Sequence, residues 1–273
     1  MNERYKLRDE DILFYEENGY WISDRIFDDE QIDKLRKAHD RIWAREYDGD
    51  GFPLSEWHSN GNPNQLRKMD NAWWANDEIR AAVTHPLLGQ IAAQLMGTNE
   101  VRLWYDQVIY KPGIGEQQSV KSGNVGWHQD YAYWQCTDKT NLVTAWVALQ
   151  DTDLSNGCML AVPGSHKWGL VPTSDSFFNP DLESLKEQFA QEGREWNEAP
   201  MILKAGQASF HHAYTFHASG PNHSDLPRLS VVAHLMPGDT VYQNRGHNVD
   251  NIRLLGPRPA EGQPYNNEYF PKL

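Results

Sequence analysis

Two cysteines in 273 residues are too few for a disulfide framework. Cys136 and Cys158 have only each other as partners, and nothing in the sequence around them indicates a bridge, so a reducing compartment is the expected setting. No apolar run approaches the ~18 residues of a membrane span. The start, Met1-Asn2-Glu3-Arg4-Tyr5-Lys6, leads into charge rather than into an apolar leader core, and a cytoplasmic protein is expected on that ground. Basic clusters are missing as well. With a net charge of −13 and nothing to offset it locally, neither nucleic acid nor an anionic membrane is an expected partner. Internal repeats and low-complexity tracts are absent too. What remains is a chain long enough for one domain with a core that can enclose a pocket.

The pattern along the chain changes near residue 100. Before it, the sequence reads as helical with short extended breaks. Asp28 followed by Gln31 has the form of a capping box, and Ile32, Leu35, Ile42 and Trp43 then recur at helical spacing. A second helix is predicted over His85 to Met96, with Pro86 at its start and Gly97 past its end. Residues 51–64 between them are rich in Gly, Pro, Asn and Ser and read as a loop. From Val101 the pattern becomes short strands: Val101 to Tyr110, Asn124 to Asp130, Leu142 to Leu149, Cys158 to Val162, Ala208 to His212, His217 to Ser219 and Arg228 to Leu235. Strands of that length, separated by Gly, Pro and Asn clusters, suit a double-sheet jelly roll. The expected organisation is a single domain over 1–273: a helical flank (1–100), a mainly β core (101–237), and an irregular tail (238–273) with Pro257, Pro259, Pro264 and Pro271. The core is interrupted at about 169–200 by a segment that reads either as a lid or as a surface excursion.

The chemistry is concentrated in the strands. In Trp127-His128-Gln129-Asp130, a strand would turn His128 and Asp130 to the same face, offering an imidazole nitrogen and a carboxylate oxygen to one ion. A distant histidine would complete a 2-His-1-carboxylate set, which leaves positions open on Fe(II). His217, His211 and His212 compete for that role. With eleven histidines in the chain, a lone His-x-Asp is weak, and a second one, His223-Ser224-Asp225, lies among the turn formers Pro221, Asn222 and Pro227 and reads as a solvated loop. Downstream, alternation places Arg228, Ser230, Val232 and His234 on one face of a strand and Leu229, Val231, Ala233 and Leu235 on the other. An inward guanidinium needs a partner, and a ligand carboxylate gripped by its fork would serve. A surface arginine on an edge strand is the alternative.

These residues bring a family into view. Glu17-Asn18-Gly19-Tyr20, Tyr110-Lys111-Pro112-Gly113, Trp127-His128-Gln129-Asp130, Asn156-Gly157-Cys158-Met159, Pro163-Gly164-Ser165-His166-Lys167 and His217-Ala218-Ser219-Gly220-Pro221-Asn222 followed by Arg228 run along nearly the whole chain. Together they resemble the phytanoyl-CoA dioxygenase family, which includes ectoine hydroxylase and belongs to the Fe(II)/2-oxoglutarate dioxygenases. The resemblance implies a double-stranded β-helix, the cupin-like jelly roll, with His128, Asp130 and His217 as iron ligands. It implies Arg228 and Ser219 as holders of the distal 2-oxoglutarate carboxylate, with Trp146 beside the cosubstrate and Lys68 in contact with it. Trp146 also reads as core and Lys68 as an exposed lysine. His166 reads as structural, and His211 as ordering the strand before His217.

The expected activity is therefore hydroxylation of a C–H bond in a small molecule, consuming O2 and 2-oxoglutarate and releasing succinate and CO2. Two alternatives stand beside it: a non-enzymatic metal-binding jelly roll, and a zinc-dependent hydrolase or lyase using the same three ligands. Gln107, Tyr131 and Trp134 are the candidate substrate residues. Tyr131 and Trp134 follow the metal ligands at once and would wall the open side of the iron, while Gln107 falls on a strand where the resemblance places pocket residues. An aromatic wall suits an apolar or a cationic substrate. The run Tyr131-Ala132-Tyr133-Trp134-Gln135-Cys136 departs from ectoine hydroxylase and argues against ectoine itself.

Overall fold

The structure is a computed structural model and describes residues 5–49, 51–53, 55–57, 65–115, 123–172, 176–191, 193–245 and 249–273. Eleven strands are present among these residues. In chain order they are β1 (Tyr20–Ile22), β2 (Ser55–Trp57), β3 (Arg67–Asp70), β4 (Val101–Lys111), β5 (Val125–His128), β6 (Val143–Ala148), β7 (Met159–Ala161), β8 (Ala199–Met201), β9 (Ala208–His212), β10 (His217–Ser219) and β11 (Arg228–Pro237). All pairings are antiparallel and form two sheets, one of seven strands in the order β1-β9-β6-β11-β4-β3-β2 and one of four in the order β5-β10-β7-β8. This is the double-stranded β-helix core.

Alternation along the strands decides what fills the space between the sheets. Ile109, Trp146 and Val232 of the large sheet meet Val125, Met159 and Met201 of the small one in a single apolar cluster. The opposite face of the large sheet, carrying Val108, Ala145, Val147, Phe210, Val231, Ala233 and Leu235, packs on helices. Those helices are α1 (Asp9–Asn18), α2 (Asp29–Trp43), α3 (Asp77–Val83) and α4 (Pro86–Met96). In α2 the capping box forms as expected: Gln31 N–H donates to Asp28 Oδ1 at 2.9 Å, and Ile32, Leu35 and Ile42 are buried. In α4 Pro86 stands in the first turn, and Gly97 ends the helix in the left-handed region at φ 65°.

The amino-terminal hundred residues are more than a helical flank. β1 pairs with β9, and β3 joins β2 to β4, so this region completes both edges of the large sheet. Three- and four-residue strands are too short to show an alternating pattern. The loop expected over 51–64 contains β2, while positions 54 and 58–64 lie outside the described residues. In the interruption at 169–200, residues 173–175 and 192 also lie outside them; the rest holds α5 (Leu182–Phe189) and reaches β8.

The tail is ordered by aromatic packing. It holds the short helix α6 (Val249–Arg253), and Tyr265 and Phe270 close on Trp104 with ring centroids at 4.7 and 5.5 Å. Burying an aromatic ring of this kind contributes roughly 2–3 kcal/mol. Backbone bonds from Leu103 to Pro271 and from Leu273 to Val101 fasten the end of the chain to β4. No helix among the described residues is long and apolar enough to cross a membrane.

Candidate metal centre

His128 ends β5 and His217 begins β10, and the two are register partners across the small sheet. Their rings lie 4.1 Å apart. The strand expected to carry Asp130 ends short of it. It stops at His128, Gln129 is still extended, and Asp130 opens a 3-10 turn over Asp130–Tyr133. With Gln129 extended, Asp130 keeps the same face as His128, and the turn that begins there holds it at the site. That turn is held by buried Gln129, whose amide donates to the carbonyls of Gly169 and Tyr214 and accepts from Val171 N–H at 2.8 Å.

The three groups fit a metal ion. One ligand atom from each of His128, Asp130 and His217 lies within 4.8 Å of the others, and all three residues are buried. His128 Nδ1–H donates to the Gly126 carbonyl at 2.7 Å, and His217 Nδ1–H to the Thr215 carbonyl at 3.0 Å. These bonds fix the tautomers and leave both Nε2 lone pairs free, 3.5 and 3.6 Å from Asp130 Oδ1. Burial opposes ionisation of Asp130, yet the neighbouring His217 and His128 rings and a hydrogen bond from His211 hold its carboxyl well below the ordinary range. Burial, with His128 and His211 close by, pushes His217 well down. An anionic carboxylate and neutral imidazoles are the states a divalent ion requires.

The competing histidines have other tasks. His211 Nε2–H donates to the second carboxylate oxygen, Asp130 Oδ2, at 3.2 Å. His212, next in the strand, faces away: its Nδ1 accepts from Tyr214 N–H, its ring meets His166 at 5.5 Å, and burial lowers it to about 3. His223 and Asp225 are exposed in a loop. Asp130 Oδ2 also accepts from Thr144 Oγ1 at 2.6 Å, and Thr144 in turn meets His234 Nδ1 at 2.8 Å. Thr144 escapes a sequence reading because a lone hydroxyl in an apolar strand resembles any buried threonine. His234 was legible only as one member of the polar face of β11.

Arg228 is 3% exposed and turned inward. Its Nη1 donates to the Gly157 carbonyl and to Ser219 Oγ, the latter at 3.2 Å, and its guanidinium lies 5.1 Å from the centre of the Trp146 ring. Its Nε has no partner among the described residues. Buried Lys111 stands nearby, its Nζ donating to the carbonyls of Gly123, Gly220 and Ser219. Burial lowers Arg228 to about 10; burial and then Arg228 lower Lys111 well below its usual value. Neither cation has a carboxylate partner among the described residues. A buried positive charge without a counter-ion is costly, and this pair fits an anionic ligand.

The metal group and Arg228 open on one cavity of about 460 Å3, its mouth included. Gln107, Trp146, His211, Ser219, Phe177 and His234 line it as well. Tyr131 and Trp134 do not, which corrects their expected place on the open side of the metal. Tyr131 donates its hydroxyl to the Thr137 carbonyl, and Trp134 Nε1–H donates to Tyr105 Oη in a separate aromatic cluster. The turn that presents Asp130 sends the following side chains into that cluster. Lys68, expected in contact with the cosubstrate, is not among the residues that line the cavity: its Nζ binds both Asp70 carboxylate oxygens at 3.0 Å and lies 5.5 Å from the Phe177 ring.

Comparisons with known proteins agree with this geometry. The family model described as Phytanoyl-CoA dioxygenase (PhyH) matches residues 15–230. The peroxisomal phytanoyl-CoA dioxygenase of Rattus norvegicus is 22% identical over 246 residues, covering 88% of this chain and 71% of that protein. A probable alpha-ketoglutarate-dependent hypophosphite dioxygenase of Stutzerimonas stutzeri is 26% identical over 218 residues, covering 78% and 73%. Among solved structures, the epimerase SnoN in complex with Fe3+, alpha ketoglutarate and nogalamycin RO has 27% identity and a TM-score of 0.74, with 97% of each chain covered. The expectation of a cytoplasmic protein is corrected by the rat relative and its bovine, human and mouse counterparts, all named as peroxisomal. Scarce cysteine and an acidic balance do not distinguish those compartments. The match over most of its length, with the 2-His-1-carboxylate group in place, makes this chain a member of the phytanoyl-CoA dioxygenase family.

Proposed function

We propose that the protein is an Fe(II)- and 2-oxoglutarate-dependent dioxygenase that hydroxylates a small molecule, with Arg228 and Ser219 as the anchor for the cosubstrate. The observation that carries this reading is the pairing, in one cavity, of three buried metal-binding side chains with a buried arginine that lacks an acidic partner among the described residues. A hydrolase or a passive metal-binding module has no use for the second feature.

His128, Asp130 and His217 would hold iron from one side and leave its other side open to the cavity. Arg228 would take the far carboxylate of 2-oxoglutarate through its fork, with Ser219 Oγ beside it and the Trp146 ring forming the wall. Lys111 ties the backbone after β10 to the start of β5 and adds positive charge near this end. Phe177 packs 5.0 Å from the His128 ring and shields the ligands from bulk water. When bound, iron and 2-oxoglutarate supply the oxidation, coupling O2 reduction to release of succinate and CO2 and to transfer of one oxygen atom. The chain's part is to orient the reactants and exclude water.

The experiment is succinate release from the purified protein supplied with Fe(II), 2-oxoglutarate and O2, with chelator and zinc controls, followed by a screen for small molecules that stimulate it. Product carrying one atom of labelled oxygen from O2 establishes hydroxylation. Turnover with zinc but not iron, or no 2-oxoglutarate consumption, would overturn the reading.

A further inference from the structure

The chain Asp130–Thr144–His234 fixes more than the metal ligand. A threonine hydroxyl has one proton, and its 2.6 Å contact with the ionised Asp130 Oδ2 uses it. In the 2.8 Å contact with His234 Nδ1, Thr144 Oγ1 can then only accept, so His234 carries its proton on Nδ1. In the neutral ring, His234 Nε2 is therefore a bare lone pair. It is buried, with His234 3% exposed overall, and has no hydrogen-bond partner among the described residues. The ring is flanked by Tyr105 at 4.4 Å and Trp134 at 4.8 Å. His234 lines the cavity that holds the metal group. An orphan acceptor in that position costs free energy until a donor arrives.

We propose that His234 Nε2 is a substrate-recognising acceptor, and that the substrate carries a hydroxyl or amine donor placed to reach it. 2-Oxoglutarate, with no donor at neutral pH, cannot satisfy this nitrogen. The assignment deepens the dioxygenase reading and rests on it for the word substrate. The Asp130–Thr144–His234 chain also couples the two sites: the residue that orients the metal's carboxylate sets the tautomer that reads the substrate. Thr144 is thus a positioning residue acting through both neighbours.

The test uses the full chain labelled with [15N]histidine and loaded with zinc and 2-oxoglutarate, with the His234 signals identified by their loss in His234→Phe. His234 is expected as the Nδ1–H tautomer with an unprotonated Nε2. Cyclohexanol, cyclohexylamine and methoxycyclohexane are then titrated as probes sharing one ring. The alcohol or the amine should bind about fivefold or more tightly than the ether and shift the Nε2 resonance. That preference should vanish in His234→Phe, and in Thr144→Val the Nε2–H tautomer should become populated. A protonated Nε2 in the parent, equal or absent binding of all three probes, or a donor preference that survives His234→Phe would overturn the proposal. These readouts are independent of turnover, so failure to release succinate would remove the dioxygenase reading while leaving a donor-binding nitrogen, and the reverse result would remove only the acceptor.

Discussion

At the scale of single residues, chemistry that is costly to bury is the most legible in a sequence. His128, Asp130 and Arg228 stand out because a carboxylate, an imidazole and a guanidinium in apolar strands need partners, and the structure supplies a metal group for the first two and an unpaired, 3% exposed cation for the third. Arg228→Ala should weaken 2-oxoglutarate about ten- to a hundredfold, the loss of one charge-assisted contact of roughly 1.5–3 kcal/mol. Calorimetric titration should show metal affinity nearly unchanged, and equal cosubstrate affinity in variant and parent would remove Arg228 from the anchor. His217→Ala should abolish the visible charge-transfer band of the anaerobic Fe(II)–2-oxoglutarate complex. If His211→Ala abolished it and His217→Ala did not, the third ligand would be reassigned, although His211 here faces Asp130 Oδ2. Thr144 and the Gly126 and Thr215 carbonyls stayed out of reach because a neutral hydroxyl and the main chain carry no signature in composition or spacing.

Elements were legible where a hydrophobic pattern, a cap or a motif marks them. β4, β6, β9, β10 and β11 fall within a residue or two of where alternation places them, and α2 and α4 begin and end on their capping residues. β1, β2, β3 and β8 have three or four residues each and take their pairing from neighbours, so tertiary contact decides them. The error at Tyr131 and Trp134 has another cause: adjacency to the ligands in sequence is not adjacency in space, and the 3-10 turn over Asp130–Tyr133 sends those side chains into a separate cluster. The segment before α5 is the element tied most directly to the site. Gly126 N–H donates to the Phe177 carbonyl at 2.9 Å, and a Cβ at position 126 would stand 2.0 Å from the Ser176 carbonyl oxygen and 2.6 Å from that of Asn179. Gly126→Ala must therefore push this segment outward and carry Phe177 away from His128. Hydrogen exchange over residues 176–189 should rise severalfold while zinc binding persists. Unchanged protection there would show that the segment does not depend on this close approach.

The whole molecule depends on both faces of the large sheet, the metal cavity on one and the helices on the other, and the helical side carries an ionisable group of its own. His39 of α2 is fully buried; its Nε2–H donates to the Ile109 carbonyl of β4 at 3.2 Å, and its Nδ1 has no partner among the described residues. Burial lowers its pKa to about 4. An unfolded histidine titrates near 6.5, so as the pH falls from there toward 4 the unfolded chain takes up a proton that the folded chain refuses. The folded state keeps its full advantage above about pH 6.5, loses it progressively through that window, and loses no more from this group below about pH 4. The shift corresponds to a loss on the order of 3 kcal/mol, a large share of the stability of an ordinary domain. His212 and His234 are depressed in the same direction and add to the slope, so the parent alone cannot isolate His39. Urea unfolding of metal-free parent and His39→Gln at pH 7.5 and 4.5 does so, because the other histidines are common to both. Gln keeps a donor for the Ile109 carbonyl and does not titrate, so the variant should lose roughly 2–3 kcal/mol less than the parent between those pH values. Parallel losses in the two proteins would mean that His39 is protonated in the folded state and that the contact between α2 and β4 admits a charge.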